Sequence, residues 1–312
     1  MKIIAASLLP LCLVAASPAA ASQATPAVAA APVPVVQMEH ISIEAVGSGP
    51  PLVLIPGLAS PREVYRPFVD ELARTGRVLL VQVNGFGGDP PRGNAAEGVL
   101  PGVVADIARY LEQNRLGPAV VVGHSMGGVI GMLLARDHPA RIDRLMIVDS
   151  LPFFGSMVSP DLTVEAIRPS AEAMRAAIRN GMGRDGEPSA TDPSVQTMSY
   201  SPEGRLQVAR WVRGSDPAVV GQAMYETATT DMRPHLTAIG RVPTTVLYAV
   251  PPSLVERAHA LWRGQYAPAP SIRLVPVENS HHFIMLDQPE RFRSELRTFL
   301  QAPSAPRAGE RG

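Results

Sequence analysis

The chain has 312 residues, 46% of them hydrophobic, with 28 basic residues balanced by 28 acidic ones. That length and apolar content suit one large domain carrying an insertion, and they exclude a disordered body. A net charge of zero offers no electrostatic grip on nucleic acid or on an anionic membrane, so neither is expected as a partner.

The N-terminus reads as a targeting segment. Lys2 supplies the positive start, residues 3–16 an apolar stretch, and Ala19-Ala20-Ala21 a small-residue cleavage site before Ser22. The stretch is short for a bilayer span. Residues 1–21 are therefore expected to be a signal peptide, leaving a periplasmic or secreted protein with no stable membrane insertion after cleavage. The one cysteine, Cys12, falls inside it, so the mature chain has neither a disulfide framework nor a thiol nucleophile. Residues 22–37, rich in Ala and Pro, read as a linker outside the fold, and residues 302–312 as a disordered tail.

The body opens with an alternating run at 38–43 that suits an edge strand. The apolar run 52–55, ended by Pro56-Gly57, reads as a central parallel strand. A helix over 61–75 places Val64, Phe68, Val69 and Leu72 on its apolar side, and 77–83 is a second buried strand leading into Asn84-Gly85-Phe86-Gly87. A helix over 100–116 follows, then the β-branched strand 120–122. Next comes Gly123-His124-Ser125-Met126-Gly127, ahead of a buried helix through 129–135. This is G-x-S-x-G in the strand-to-helix setting that the motif needs. So tight a turn leaves no room for a Cβ at its flanks. It lifts the Ser125 hydroxyl clear of the sheet and aims the first free N–H groups of the helix at whatever Ser125 attacks.

Strand 144–148 then ends on Asp149. From 155 to 233 strand-like runs stop, and helical patterns at 164–178 and 204–212 alternate with Gly and Pro. Met157, Met174, Met182, Met198, Met224 and Met232 fall here. Most read as packing between short helices, with some lining a pocket below. Strand 244–249, helix 254–266, strand 271–277, the His281-His282 loop and a closing helix over 289–300 complete the chain. The predicted fold is α/β: a mostly parallel central sheet flanked by helices, with its core in 38–154 and 234–301 and a helical cap insertion in 155–233.

Four segments carry a resemblance: Ile55-Pro56-Gly57-Leu58, Asn84-Gly85-Phe86-Gly87, Gly123-His124-Ser125-Met126-Gly127, and His282-Phe283 with Gln288-Pro289-Glu290 behind it. From about residue 41 to 300 the chain resembles the α/β-hydrolase superfamily, in its serine-hydrolase form with a helical cap. The resemblance implies Ser125 as nucleophile, with Gly123 and Gly127 forming the elbow. It also implies an oxyanion hole built from the backbone N–H groups of Leu58 and Met126. Pro56 stands where the family commonly has His, and Asn84 where it often has Asp.

A neutral serine needs a base, and the base needs an orienting acid, in the order Ser, Asp or Glu, His. His282, preceding Phe283, matches the family's G-H-F segment. His281 fills the usual Gly position and is the fallback base. In many members the acid follows the strand that here is 244–249, but Val250-Pro251-Pro252-Ser253 holds no carboxylate. Other members place it one strand earlier, which selects Asp149, with Glu256 and Glu278 as alternatives. Asp231 reads as a hinge carboxylate paired with Arg233.

The expected activity is that of an exported serine hydrolase acting on a small, apolar acyl compound, most simply a carboxylic ester. C–C bond hydrolases, lactonases, thioesterases and perhydrolases use the same triad, and a non-catalytic small-molecule receptor is the reading from another class. No ligand-spaced His/Asp cluster and no Gly-rich nucleotide loop is present, so neither metal nor cofactor is expected.

Overall fold

Eight strands form one sheet in the computed structural model, which describes residues 34–182 and 186–302. The expected signal peptide 1–21, most of the 22–37 linker and all but the first residue of the 302–312 tail lie outside the described residues. The strands are β1 (Val35–Gln37), β2 (Ile41–Val46), β3 (Pro51–Ile55), β4 (Arg77–Val83), β5 (Ala119–His124), β6 (Ile142–Val148), β7 (Thr244–Val250) and β8 (Arg273–Glu278). Their order across the sheet is β1-β2-β4-β3-β5-β6-β7-β8. β1 and β2 run antiparallel to their neighbours; every pairing from β4 to β8 is parallel.

Alternation along the strands divides the core into two layers, because successive side chains point to opposite faces. Val53, Ile55, Val121, Leu145, Ile147 and Val246 face one layer. That layer is covered by α2 (Val99–Gln113), α3 (Met126–Asp137) and α8 (Val255–Tyr266). Leu52, Leu54, Val120, Val122, Met146 and Leu247 face the other, against α1 (Arg66–Leu72) and α10 (Pro289–Gln301), where Phe68 meets Phe292 edge-on at 4.9 Å.

Between β6 and β7 no strand occurs among the described residues. The chain there forms α4 (Val164–Arg179), α5 (Pro202–Gly214) and α6 (Pro217–Thr229), a helical cap, and then the short α7 (Leu236–Ile239), whose Leu236 and Ile239 are buried in the core; α9 (Ile284–Asp287) is a single turn after β8.

Two local expectations are corrected, and one helix is new. Val35–Gln37 is not linker: it pairs with Ser42 to Glu44 of β2, and the Gln37 amide is tied to Asn84 at 2.8 Å. The expected 61–75 helix is a 3₁₀ turn over Arg62–Tyr65 followed by α1, with Pro67, which has no N–H to give, in the first turn of the new helix. α6 was not anticipated, although Asp216 caps it and Pro217 opens it, a sequence-level start signal.

Candidate active site

The expected catalytic and oxyanion-hole residues follow β3, β5, β6 and β8, and Gly123 ends β5, at the carboxyl edge of the parallel strands, where open α/β sheets collect their ligands. Ser125 lies between β5 and α3 with φ 54° and ψ −120°. Its N–H donates to the Val148 carbonyl at 2.9 Å, and its own carbonyl accepts from Gly128 and Val129 at 2.8 and 3.2 Å. A Cβ at Gly123 would stand 2.0 Å from the Gly127 carbonyl oxygen, and one at Gly127 would stand 2.3 Å from that of Ile55. The two glycines are thus forced by backbone-on-backbone contact.

Among the described residues six non-glycine residues have positive φ, and four of them, Ala59, Ser125, Asp149 and Asn279, sit in loops at this edge of the sheet. Such conformations cost about 1–3 kcal/mol each and persist where the surroundings over-determine them, which is characteristic of functional sites.

His282 Nδ1 donates to Asp149 Oδ2 at 2.6 Å. The proton on Nδ1 leaves Nε2 of the neutral ring as an acceptor. Asp149 is itself pinned: its Oδ1 accepts the Ala249 N–H at 2.8 Å, and its N–H donates to the Leu247 carbonyl at 2.8 Å. The Asp149 carboxylate therefore leans across the end of β7, the strand whose own loop holds no carboxylate. Among the described residues it is Asp149 whose carboxylate meets His282. Glu256 is exposed on α8, and Glu278 lies 4.0 Å from His259 Nε2. His281 also lines the cavity described below, but its N–H donates to Asp287 and its ring lies against Tyr200 at 4.9 Å. Asp231 pairs with Arg233 at 2.6 Å.

For the expected oxyanion hole, Met126 N–H is the first of α3, one that no carbonyl of a preceding helical turn serves. Leu58 lies within the turn closed by Ser60 N–H to the Gly57 carbonyl at 3.2 Å, a bond that leaves the Leu58 N–H out. Leu58, Ser125, Asp149 and His282 line one cavity of about 1270 Å³, above the usual range of roughly 300–1,000 Å³ for small-molecule sites. Met157, Met174, Met182, Met198 and Met224 line it as well. The methionines are thus mostly cavity wall rather than packing between helices; Met232 alone of the six is fully buried in the core. Among the described residues no group of three or more His, Cys, Asp and Glu side chains is placed to hold a metal ion.

His124 makes a contact that no sequence motif names. It is fully buried, and its Nε2 lies 3.0 Å from the His282 carbonyl oxygen. A carbonyl only accepts, so Nε2 carries the proton. Nδ1 finds no partner among the described residues. Burial, with the nearby His282 adding to it, holds the His124 pKa well below the ordinary imidazole value. His124 is a neutral donor bracing the backbone of the histidine beside it. Asn84, the family's frequent Asp, is fully buried and bonds the Met38 and Glu39 carbonyls at 3.1 and 2.8 Å, a structural knot at the edge of the sheet.

Residues 50–289 match the family model described as alpha/beta hydrolase fold. The chain belongs to this family. The hydrolase is 26% identical over 267 residues to the pimeloyl-[acyl-carrier protein] methyl ester esterase of Aeromonas hydrophila subsp. hydrophila, covering 83% of this chain and 99% of that relative. A shorter stretch of 105 residues is 34% identical to the sn-1-specific diacylglycerol lipase of Xenopus laevis, covering 33% of each. Among solved structures, a thermophilic esterase from Thermogutta terrifontis superposes with a TM-score of 0.69 at 22% identity, covering 86% of this chain and 98% of that one. MenH from S. aureus superposes with a TM-score of 0.66 at 16% identity, covering 85% and 98%. At these identities the structural likenesses concern the fold.

Proposed function

We propose that the hydrolase is exported and cleaves a carboxylic ester of an apolar acid through Ser125, His282 and Asp149. The observation that carries the reading is the 2.6 Å bond from His282 Nδ1 to Asp149 Oδ2 beside an elbow serine on a large apolar cavity. A methyl ester esterase among the relatives supports the choice of ester.

In the proposed reaction His282 Nε2 takes the Ser125 proton as Oγ bonds to the acyl carbon. The N–H groups of Leu58 and Met126 hold the oxyanion. Collapse breaks the bond from carbonyl carbon to alcohol oxygen, and His282 returns the proton to the leaving alcohol. Water, deprotonated by the same Nε2, then attacks the acyl carbon and frees the acid and Ser125. Asp149 keeps the ring in the Nδ1–H tautomer and stabilises the imidazolium that forms twice per turnover.

The test is turnover of a series of p-nitrophenyl esters from acetate to laurate. Hydrolysis that falls by about 10⁴-fold or more in Ser125→Ala is expected. A folded wild-type protein that turns over no member of the series would overturn the reading. Export rests on the sequence of residues 1–21. N-terminal analysis of protein from a periplasmic extract is expected to begin at Ser22, and an intact Met1 start confined to the cytosol would contradict it.

A further inference from the structure

We propose that Asp287 is a positioning residue that ties the base loop to the cap, so that His282 is set in place by the cap as well as by Asp149. This rests on the reading of His282 as the base.

Asp287 ends α9, and its carboxylate gathers donors from two distant segments. Oδ1 accepts the Ser199 hydroxyl at 2.5 Å and the Tyr200 N–H at 2.9 Å. Oδ2 accepts the Tyr200 N–H at 3.1 Å and the His281 N–H at 2.8 Å. The cap segment and the base loop also bond directly: the His282 N–H donates to the Thr197 carbonyl at 3.3 Å and the Phe283 N–H to that of Met198 at 2.8 Å. Ser199 is fully buried, and the Tyr200 ring lies 4.9 Å from that of His281. On the cap side Arg205 holds the Tyr200 carbonyl at 3.0 Å. The backbone on both sides of His282 is therefore laced to residues 197–200, and Asp287 is the side chain through which the two segments share one charge.

A carboxylate suits this place because all the groups facing it are donors. An ionised carboxylate offers acceptor sites on both oxygens, whereas an amide must turn an N–H₂ toward one of the donors. Asp287→Asn therefore breaks the clasp on one side while keeping size and shape. The base loop then loses either its hold on His281 or its hold on the cap. A displacement of about 1 Å at a reacting group is enough for a loss on the order of 10²-fold in rate.

The experiment compares wild type, Asp287→Asn and Ser199→Ala in the full chain. It reads ester kinetics, thermal melting and the low-field ¹H resonance of the His282 Nδ1 proton. In Asp287→Asn, kcat is expected to fall about tenfold or more with KM within about threefold, because the base rather than the acyl site is displaced. The low-field resonance shifts or broadens. Ser199→Ala, which removes one donor on the cap side, moves both readouts in the same direction by less. A folded Asp287→Asn with wild-type kcat and an unchanged resonance overturns the proposal. If Asp287→Asn does not fold, Ser199→Ala decides by the same two readouts. If wild type hydrolyses no ester, the functional reading fails, and the resonance alone then decides whether Asp287 positions His282.

Discussion

A buried imidazole nitrogen without a partner costs stability; among the described residues His124 Nδ1 has none, while Nε2 donates to the carbonyl of His282. The contact has a consequence for pH. The unfolded chain binds a proton on His124 below about 6.5, while the folded chain, whose His124 pKa is depressed by burial, binds it only at much lower pH. The unfolded state then holds more protons, so stability falls as pH is lowered, by up to about 1.4 kcal/mol per pH unit from this group. Urea denaturation from neutral pH to about pH 5 is expected to show that component in wild type and to lack it in His124→Gln. Equal slopes in the two proteins would contradict a neutral His124. The elbow was legible in sequence because every part of it is local: strand, two glycines, serine, helix. The place of Asp149 on the carboxyl edge was legible because it ends a strand, while the resemblance left Glu256 and Glu278 as alternatives for the acid. The role of His124 was not, because its partner lies 158 residues away and is a backbone atom that no motif names.

At the level of elements, the start of α2 depends on α6. The first N–H groups of an α-helix have no partner within it. For α2 they are served by Glu226 of α6, whose carboxylate accepts from Gly98, Val99 and Leu100 at 2.8, 3.1 and 2.7 Å. No side chain of the Gly98 cap position can do this. Glu226→Ala is expected to destabilise the protein by about 1–3 kcal/mol, since it strips acceptors from three donors at the positive end of a helix. Urea unfolding within about 0.5 kcal/mol of wild type would show that water replaces the carboxylate without loss. The helix α2 was readable from its apolar stripe, but its cap was not, because the capping residue comes from another helix 126 residues on. β1 escaped for a related reason: three residues after an Ala/Pro-rich run carry little pattern of their own, and only the edge of β2 gives them a partner.

Across the whole molecule, strand alternation decides the two core layers, and the parallel order decides that Ser125, Asp149 and His282 share one edge. The cap supplies the methionine wall of the cavity, and such flexible, unbranched side chains would suit a long or variable acyl group of the proposed ester. The replacement Met224→Trp, which adds bulk to that wall, is expected to lower kcat/KM for laurate esters at least several-fold more than for acetate; an equal effect on both would place the acyl chain elsewhere. The measurement that bears most directly on the reading of the site is covalent labelling by a fluorophosphonate, with the adduct located by mass spectrometry. Stoichiometric modification of Ser125 is expected, absent in Ser125→Ala and slowed by about 10³–10⁴-fold in Asp149→Asn, where the ring of His282 loses its tautomer. Folded wild-type protein that takes no label, or an Asp149→Asn variant that labels at the wild-type rate, would contradict a triad of Ser125, His282 and Asp149.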